Sequence, residues 1–486
     1  MKRILTTIIT LLSFISAFAQ GADDACLFSQ TYYQGTAKAL GMGNALGAVG
    51  GDMTAVNINP AGMGIYRSNE FTASLNLLDN YHSSYYYGNQ TGANKTRLSI
   101  PNIGWVSTKQ RSNYRPLRST QFGIGLTRTN DYNIHTNARG INPTSSKIDN
   151  YLARIDGYSQ YELQDAFPYD IYPAWKTYLI DLYQDANGLY YDSPVPQGNI
   201  WQGQECDFKG RSEAWTFAGS ANFNDRFFIG ISADLAHIKR EGQRLFKESR
   251  VEGTETDFNQ WKFTEDITSS GWGANAKVGF IYYATNSLRF GGAFHSPTIY
   301  GFSESWQTAT ESELNWVTQK SLSPESYYEY TFIKPLKWVG SMAFVIKQQG
   351  IISLDAEYTN YGAARFMAAA DDDYDYSPTN EVIKETYGGT FNFRLGSEWS
   401  LGTSYLRLGA AYYGSPFGLG ESGGSVKKAS CGISVPVSES TTFDFAYELS
   451  HGKNYIFLYD AGDLGIESIT QKQFKHILAA TLKVRF

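Results

Sequence analysis

Alternation between apolar and polar residues is the feature of this chain that most restricts its fold. Toward the C-terminus the apolar positions are Val484, Leu482, Ala480 and Leu478, and the residues between them are charged, polar or small. Successive side chains of a β-strand point to opposite faces, so this period of two predicts a strand with one apolar face. The same pattern recurs near 122–126, 272–282, 288–294, 352–358, 391–399, 406–412 and 443–450. The chain is therefore predicted to be all-β.

The number and spacing of the strands predict a closed antiparallel barrel. Short turns at 224–225, 285–286, 348–349, 402 and 438 alternate with longer connections, of which the insertion 137–212 is the longest. An even strand number, with short turns at one end and long extracellular loops at the other, is typical of membrane β-barrels. The pattern predicts about fourteen strands, at 69–88, 97–109, 119–136, 213–223, 226–240, 270–284, 287–306, 326–347, 350–360, 388–400, 404–414, 427–436, 440–458 and 472–486.

Alternation alone does not decide whether the apolar face meets a protein core or lipid. Charged residues make up only 18% of the chain, against about 25% in a typical soluble domain. A mean hydropathy of -0.35, with no long apolar run after the N-terminus, excludes a helical membrane protein. The charges within the strands share the polar face, which suits a wet lumen: Arg289, Lys277, Asp355, Glu357, Arg394, Arg407, Asp444 and Glu448. We therefore predict a transmembrane antiparallel β-barrel with a polar lumen.

The N-terminus has the features of a secretory signal peptide. Lys2 and Arg3 precede an apolar stretch over 4–18, and Ala17-Phe18-Ala19 is a typical cleavage site, so residues 1–19 are assigned to the signal peptide. The mature chain has three cysteines, Cys26, Cys206 and Cys431, without paired spacing. A disulfide framework and a zinc site are both disfavoured. A single Cys26–Cys206 disulfide remains an alternative.

Residues 20–68, between the signal peptide and the first strand, differ in character from the rest. A run rich in Gly and Ala over 41–52 leads into Asn59-Pro60-Ala61-Gly62. A dinucleotide-binding loop would need Gly in place of Leu46 and a preceding strand, and neither is present. Small residues allow tight turns and close backbone approach, so the segment is expected to pack inside something larger.

This segment and its position resemble the N-terminal hatch of the FadL/TodX family of outer-membrane transporters for long-chain fatty acids and other hydrophobic compounds. The resemblance implies a fourteen-stranded barrel over 69–486, plugged by a hatch over 20–68. It also implies that the terminal Phe486 is an assembly signal, read by the barrel assembly machinery of a Gram-negative outer membrane. The expected surroundings are outer-membrane lipid and lipopolysaccharide. The residues before the hatch motif, Asp23, Asp24, Cys26, Tyr32 and Tyr33, match no family pattern.

The insertion 137–212 contains one predicted helix. After Pro173, the residues Trp175, Tyr178, Leu179 and Leu182 fall at i, i+3, i+4 and i+7, which makes an apolar stripe on a helix. One interpretation is that the stripe packs onto neighbouring loops. The other is that it forms an outer surface that captures hydrophobic ligand, as loop helices do in the family that the chain resembles.

Residues for catalysis or metal binding are sparse. Six histidines are scattered without metal-ligand spacing, and no G-x-S-x-G elbow occurs. The acidic run 371–375 offers oxygen ligands for a divalent cation but lacks an EF-hand pattern, and a solvated acidic loop is the simpler interpretation. A net charge of -6 provides no basic face for nucleic acid. No enzyme activity, cofactor or metal is predicted.

The predicted function is passive, hatch-gated diffusion of hydrophobic small molecules, either long-chain fatty acids or aromatic compounds, across the outer membrane. Two alternatives remain. A barrel of this kind can act as a scaffold for surface or secreted proteins, or it can bind haem at the surface. A continuous apolar tunnel would favour transport, whereas a charged lumen without a pocket would favour the scaffold.

Overall fold

The computed structural model of the chain describes residues 21–111, 115–186, 188–370, 372–418, 423–459 and 465–486. The predicted signal peptide lies outside these residues. The described helices are α1 (Ala22–Ser29), α2 (Ala37–Gly41), α3 (Met53–Ile58), α4 (Lys147–Ile155), α5 (Leu163–Ala166), α6 (Ile171–Lys176) and α7 (Ser377–Thr386), with 3-10 turns at Pro60–Ile65 and Tyr361–Ala363. Within the described residues, no helix is long and apolar enough to cross a membrane.

Strands make up most of the described chain. They are β1 (Glu70–Tyr86), β2 (Asn89–Gln110), β3 (Leu117–Asp131), β4 (Ile134–Asn142), β5 (Asp181–Asp185), β6 (Gly188–Asp192), β7 (Ile200–Phe223), β8 (Phe227–Arg250), β9 (Phe258–Tyr283), β10 (Leu288–His295), β11 (Thr298–Leu314), β12 (Thr318–Leu322), β13 (Ser326–Lys334), β14 (Lys337–Ile346), β15 (Gly350–Asn360), β16 (Arg365–Ala368), β17 (Gly389–Leu401), β18 (Ser404–Tyr413), β19 (Val426–Pro436), β20 (Thr441–Ile456) and β21 (Ile469–Arg485).

The strands close into a fourteen-stranded antiparallel barrel, as predicted. Four positions around the barrel are occupied by two successive strands each, namely β3 with β4, β10 with β11, β13 with β14 and β15 with β16. The barrel closes where β21 pairs with β1, and Glu70 lies opposite Arg485. The β5–β6 hairpin stands apart in the large insertion, and β12 extends the sheet beside β11.

The two ends of the barrel differ in their connections. Short turns at 224–226, 284–287, 347–349, 402–403 and 437–440 join strands at one end, which we name the turn end. The opposite end, the loop end, carries the insertion and most of the longer connections. The first barrel strand begins and the last one finishes at the turn end, because an even number of strands returns the chain to its starting side.

Several strands extend farther at the loop end than the sequence indicated. β2 begins at Asn89 and β7 at Ile200, so β1 and β2 meet in a tight turn and the segment between β4 and β7 shortens to 143–199. These extensions lie beyond the apolar belt, where both faces of a strand can be polar. The alternation that identifies a membrane strand is therefore absent from them.

The barrel presents an apolar surface outward and charged residues inward. Ile231, Leu408 and Phe445 are exposed on the outer face, whereas Arg394 and Asp444 are buried in the lumen. Exposed apolar surface on this scale is disfavoured in water and stable against lipid. Several interior charges are paired with one another: Arg394 lies 3.1 Å from Glu357, Arg407 lies 2.9 Å from Asp444, and Lys428 lies 2.8 Å from Glu448. Both faces have the polarity that the sequence predicted.

Candidate functional site

The hatch fills the lumen toward the turn end and touches the wall at backbone distance. A Cβ added to Gly279 would lie 2.1 Å from Asn59 Oδ1, and one added to Gly230 would lie 2.3 Å from the carbonyl carbon of Pro60. On another side, a Cβ on Gly409 would lie 2.2 Å from the Gly43 nitrogen. Only glycine allows such close approach. The glycines of the inner wall therefore let the hatch seal against the barrel.

Asn59 and Pro60 join the hatch to the wall. Asn59 Nδ2 donates to the carbonyl of Gly47 at 2.8 Å and to that of Phe280 in β9 at 3.0 Å. Asn59 Oδ1 accepts from the Ala61 amide at 3.1 Å, which caps the 3-10 turn that Pro60 begins. The tetrapeptide 59–62 is thus buried at the centre of the plug, between its Gly-rich segment and one strand of the barrel.

A buried carboxylate makes a second connection between hatch and wall. Asp52 accepts from the Thr36 hydroxyl at 2.7 Å and from the Thr54 amide at 2.9 Å, and Lys483 of the last strand approaches it at 3.3 Å. Lys483 also lies 2.8 Å from Asp444. Opposed charges that are fully hydrogen-bonded tolerate burial, whereas removing one partner leaves an uncompensated charge. This network ties the hatch to the strand that closes the barrel.

Helix α1, the first element of the hatch, lies between the Gly-rich part of the hatch and the loop end. Phe28 is fully buried, and its ring stacks on Phe302 with a centroid distance of 5.1 Å. Asp24 lies 3.4 Å from Arg240 of β8, and the Tyr387 hydroxyl donates to Asp23 at 2.7 Å. The sequence placed this segment within the hatch range 20–68 but predicted no contact for it. Two acidic residues in the first turn of α1 were the sequence signal for these contacts. Their partners in the wall could not be predicted, because they are distant in sequence.

A cavity of about 420 Å³, which we name the outer cavity, lies between α1 and the loops of the loop end. Asp23 contributes to its boundary from α1, Lys147 and Tyr151 from α4, and Leu458 and Tyr459 from the connection after β20. The remaining wall combines aromatic and charged side chains, including Arg154, Tyr169, Asp170, Arg240, Arg244, Phe246, Phe263, Glu265 and Trp306.

Lys147 differs from the other cations of the outer cavity. Arg154 pairs with Asp170 at 2.5 Å, Arg240 with Asp24 at 3.4 Å, and Arg244 with Glu265 at 3.2 Å. Lys147 forms no ion pair within the described part of the chain. Its Nζ instead lies above three aromatic rings, 4.1 Å from the centre of Phe263, 5.0 Å from Phe246 and 5.7 Å from Tyr151. Burial lowers the pKa of this ammonium group.

Glu248 of β8 fixes the helix that carries Lys147. Its carboxylate accepts from the Ser146 hydroxyl at 2.6 Å, the Lys147 amide at 2.8 Å and Trp261 Nε1 at 2.6 Å. Ser146 also forms a capping box with Asp149, a local sequence signal that would have identified α4. The wall thus holds Lys147 at the boundary of the cavity.

The predicted capture stripe does not form, because the helix is shorter than predicted. Helix α6 ends at Lys176, and the Thr177 hydroxyl donates back to the carbonyl of Pro173 at 2.9 Å. Tyr178 follows with φ +59°, a left-handed conformation that stops the helix, and Leu182 lies in the β5–β6 hairpin.

The four stripe residues consequently have different surroundings. Leu179 is fully buried in the loop core, and Trp175 packs edge-on against Tyr191. Tyr178 is 40% exposed, with its ring centre 5.1 Å from that of Trp316.

A second cavity, of about 460 Å³, opens at the turn end beneath the hatch. We name it the turn-end cavity. The hatch separates it from the outer cavity, with Val49, Gly50 and Gly51 among its lining residues. The lumen is therefore charged, which was the feature expected of a scaffold protein. It also contains pockets on both sides of the hatch, which was not expected of a scaffold.

The structure also locates the terminal phenylalanine, the cysteines and the candidate metal ligands that the sequence identified. Phe486 is exposed at the turn end, and its amide donates to the carbonyl of Asn69 at 3.2 Å. All three cysteines are free, so the Cys26–Cys206 bridge does not form. The first residue of the acidic run 371–375, Asp371, lies outside the described residues. Within the part of the chain that is described, no group of three or more His, Cys, Asp or Glu side chains is arranged for a metal ion.

Comparison with known proteins gives a fold but no close relative. No protein-family model matches the chain, and no curated protein matches it. Among solved structures, a Pseudomonas aeruginosa FadL homologue is 12% identical with a TM-score of 0.60, over 94% of this chain and 99% of that one.

Two toluene transporters have the same architecture. The P. putida transporter TodX is 11% identical with a TM-score of 0.54, over 94% of this chain and 99% of that one. The Ralstonia pickettii transporter TbuX is 13% identical with a TM-score of 0.53, over 93% and 98%. These matches extend over nearly the whole chain, hatch and barrel together. The chain thus has the fold of the FadL and TodX channels, as its sequence resemblance predicted.

Proposed function

We propose that this protein is an outer-membrane channel for hydrophobic small molecules, and that its ligands are amphiphiles with an anionic headgroup, such as long-chain fatty acids. The shared fold and the outward apolar surface support a channel in the outer membrane, surrounded by lipid and lipopolysaccharide and assembled by the barrel assembly machinery. TodX and TbuX are toluene transporters. The outer cavity of this chain favours a charged ligand instead.

Lys147 is the observation that carries this proposal. An ammonium group among three aromatic rings, partly removed from water and without a carboxylate partner in the described chain, attracts an anion more strongly than it would in solvent. The neighbouring rings of Phe246 and Phe263 provide contact for an acyl chain, and each buried CH₂ group contributes about 0.8 kcal/mol. Toluene has no group that would use the lysine.

Transport past the plug requires the hatch to move. The outer cavity and the turn-end cavity lie on opposite sides of it, and its contacts with the wall are hydrogen bonds and ion pairs that can break and reform. The Gly-rich segment contains Gly50 and Gly51 at φ +63° and +64°, where no Cβ restricts the backbone. This arrangement supports the proposal of passive diffusion gated by the hatch.

First contact with ligand is proposed at the loop end, around the exposed pair Tyr178 and Trp316, with Trp175 and Leu182 nearby in sequence. Exposed apolar side chains at the loop end also fit the scaffold alternative, because another protein can cover Leu189 and Trp316. Cavities on both sides of the plug favour the channel.

The test is uptake of a radiolabelled long-chain fatty acid by cells that express the protein, together with binding by the purified protein in neutral detergent. Lys147→Met should weaken fatty-acid binding about tenfold, the effect of losing one partly buried charge-assisted contact of about 1.5 kcal/mol. Lys176→Met is the matched control, since Lys176 is an exposed lysine at the end of α6 that does not line the outer cavity. Tyr178→Ala should slow uptake and leave equilibrium binding in the outer cavity intact.

Equal binding by Lys147→Met and the unmodified protein would refute the role of Lys147. Uptake of toluene without uptake of fatty acid would show that the ligand is uncharged. If neither compound enters, the scaffold becomes the better explanation.

A further inference from the structure

The turn-end cavity combines an apolar floor with a cationic rim. Val49 and Ile65 of the hatch and Val345 and Ile351 of the wall supply the apolar side chains. Val49 and Ile351 belong to one buried cluster, and Val345 packs against it. The floor is therefore firmly supported and can hold the apolar part of a small amphiphile.

Positive charge exceeds negative charge around this cavity. Five cationic side chains and two carboxylates line it, namely Lys38, Arg67, Arg289, Lys347, Arg485, Glu70 and Glu398. Arg485 pairs with Glu70 at 3.1 Å, and Arg67 pairs with Asp225, outside the cavity, at 3.1 Å. These pairs account for only part of the positive charge.

Arg289 and Lys347 are the cations most available to a ligand. The guanidinium carbon of Arg289 lies 4.2 Å from the centre of the Tyr283 ring, and Lys347 occupies the exposed turn between β14 and β15. In the described chain, neither of them forms an ion pair. A guanidinium group and an ammonium group at the mouth of an apolar pocket suit a carboxylate or phosphate head with an acyl chain below it.

We propose that the turn-end cavity binds, through its anionic headgroup, an amphiphile of the class that the protein transports. The inference rests on the proposed function, because it adds a second site, on the far side of the hatch, for the same class of ligand. An anionic membrane lipid has the same headgroup chemistry, so the two sources of an amphiphile must be tested separately.

The experiment is photo-cross-linking of the full-length protein in neutral detergent, with mass-spectrometric mapping of the labelled peptides. The probes are a diazirine-bearing fatty acid, the matched fatty alcohol and a diazirine-bearing phosphatidylglycerol. The fatty acid should label 49–51 and 345–351, and the alcohol should label them much less. Arg289→Gln/Lys347→Gln should reduce this labelling about tenfold, because two charge-assisted contacts are lost.

Lys109→Gln/Arg226→Gln is the matched control, because it removes two exposed cations of the turn end that do not line the cavity. This control should label like the unmodified protein. Equal labelling by acid and alcohol, or no effect of Arg289→Gln/Lys347→Gln, would overturn the proposal. Labelling by phosphatidylglycerol alone would also overturn it, since the site would then hold membrane lipid.

The two proposals can fail separately. Fatty-acid labelling at the turn end without labelling of 147–154, and without uptake, would contradict the proposed function while supporting an anionic amphiphile site. Labelling of 147–154 alone would support the proposed function and refute the amphiphile site in the turn-end cavity.

Discussion

Replacing Asn59 and Pro60 by alanine should release the hatch while the barrel stays folded. Asn59 makes three hydrogen bonds through its side chain, to the carbonyls of Gly47 and Phe280 and from the amide of Ala61. All three lie where the plug meets β9. None of them contributes to pairing between strands, so the wall should tolerate their loss.

The magnitude follows from these contacts. Leaving a buried polar group without a partner costs about 1–3 kcal/mol, and losing an N-cap costs about 1 kcal/mol. The substitution of Asn59 therefore destabilises the docked hatch by about 2–4 kcal/mol. Loss of Pro60 adds about 0.4–1 kcal/mol, because the undocked segment gains conformational freedom. The Asp52 network stays intact, so we expect a loosened plug, still attached through its second connection.

Measurements of two kinds distinguish loosening of the hatch from unfolding of the barrel. Hydrogen exchange of 41–65 should accelerate in Asn59→Ala/Pro60→Ala, and influx of small antibiotics or liposome swelling should rise. Heat-modifiable migration on gels should stay unchanged, because the barrel is intact. Asn315→Ala, at an exposed hydrogen-bonding asparagine of the loop end, is the matched control.

A second variant changes the barrel residue that faces Asn59. Gly279→Ala places a Cβ 2.1 Å from the present position of Asn59 Oδ1, so it should also loosen the hatch. Unchanged exchange and permeability in both variants would refute the reasoning that this contact holds the plug.

Two further predictions concern assembly and reactivity. Deleting Phe486 should impair barrel assembly, because the chain loses the apolar residue that directly follows the last strand. Normal yields of heat-modifiable protein from the outer membrane would contradict this. Burial raises the pKa of the Cys26 thiol to about 12, so the thiol is neutral below that pH and iodoacetamide at about pH 8 should not modify it until the protein unfolds. Alkylation of Cys26 in the folded protein would show that α1 leaves the lumen.

Much of the barrel could be predicted from local pattern alone. Alternation along a strand is a local property, so residues such as Leu408 and Arg407 reveal their opposite faces without knowledge of their neighbours. The strand number followed from counting such segments. The composition of 41–62 likewise showed a closely packed segment, because small residues are needed wherever backbones approach each other.

The candidate site was much less predictable. Lys147 becomes distinctive only because Phe246, Phe263 and Glu248, about a hundred residues further along the chain, surround it and its helix. The helix prediction near Trp175 failed because a stripe of apolar residues also fits a short helix followed by a hairpin, and the Tyr178 backbone decides between them.

The sequence by itself thus determined an all-β chain with two faces of opposite polarity and a compact segment before the first strand. The tertiary structure alone decided which charges pair, where the plug touches the wall and where the cavities remain. The physical reason is that periodicity is encoded between neighbours in the chain. Partners such as Asp52 and Lys483 meet only when the last strand closes the barrel around the hatch.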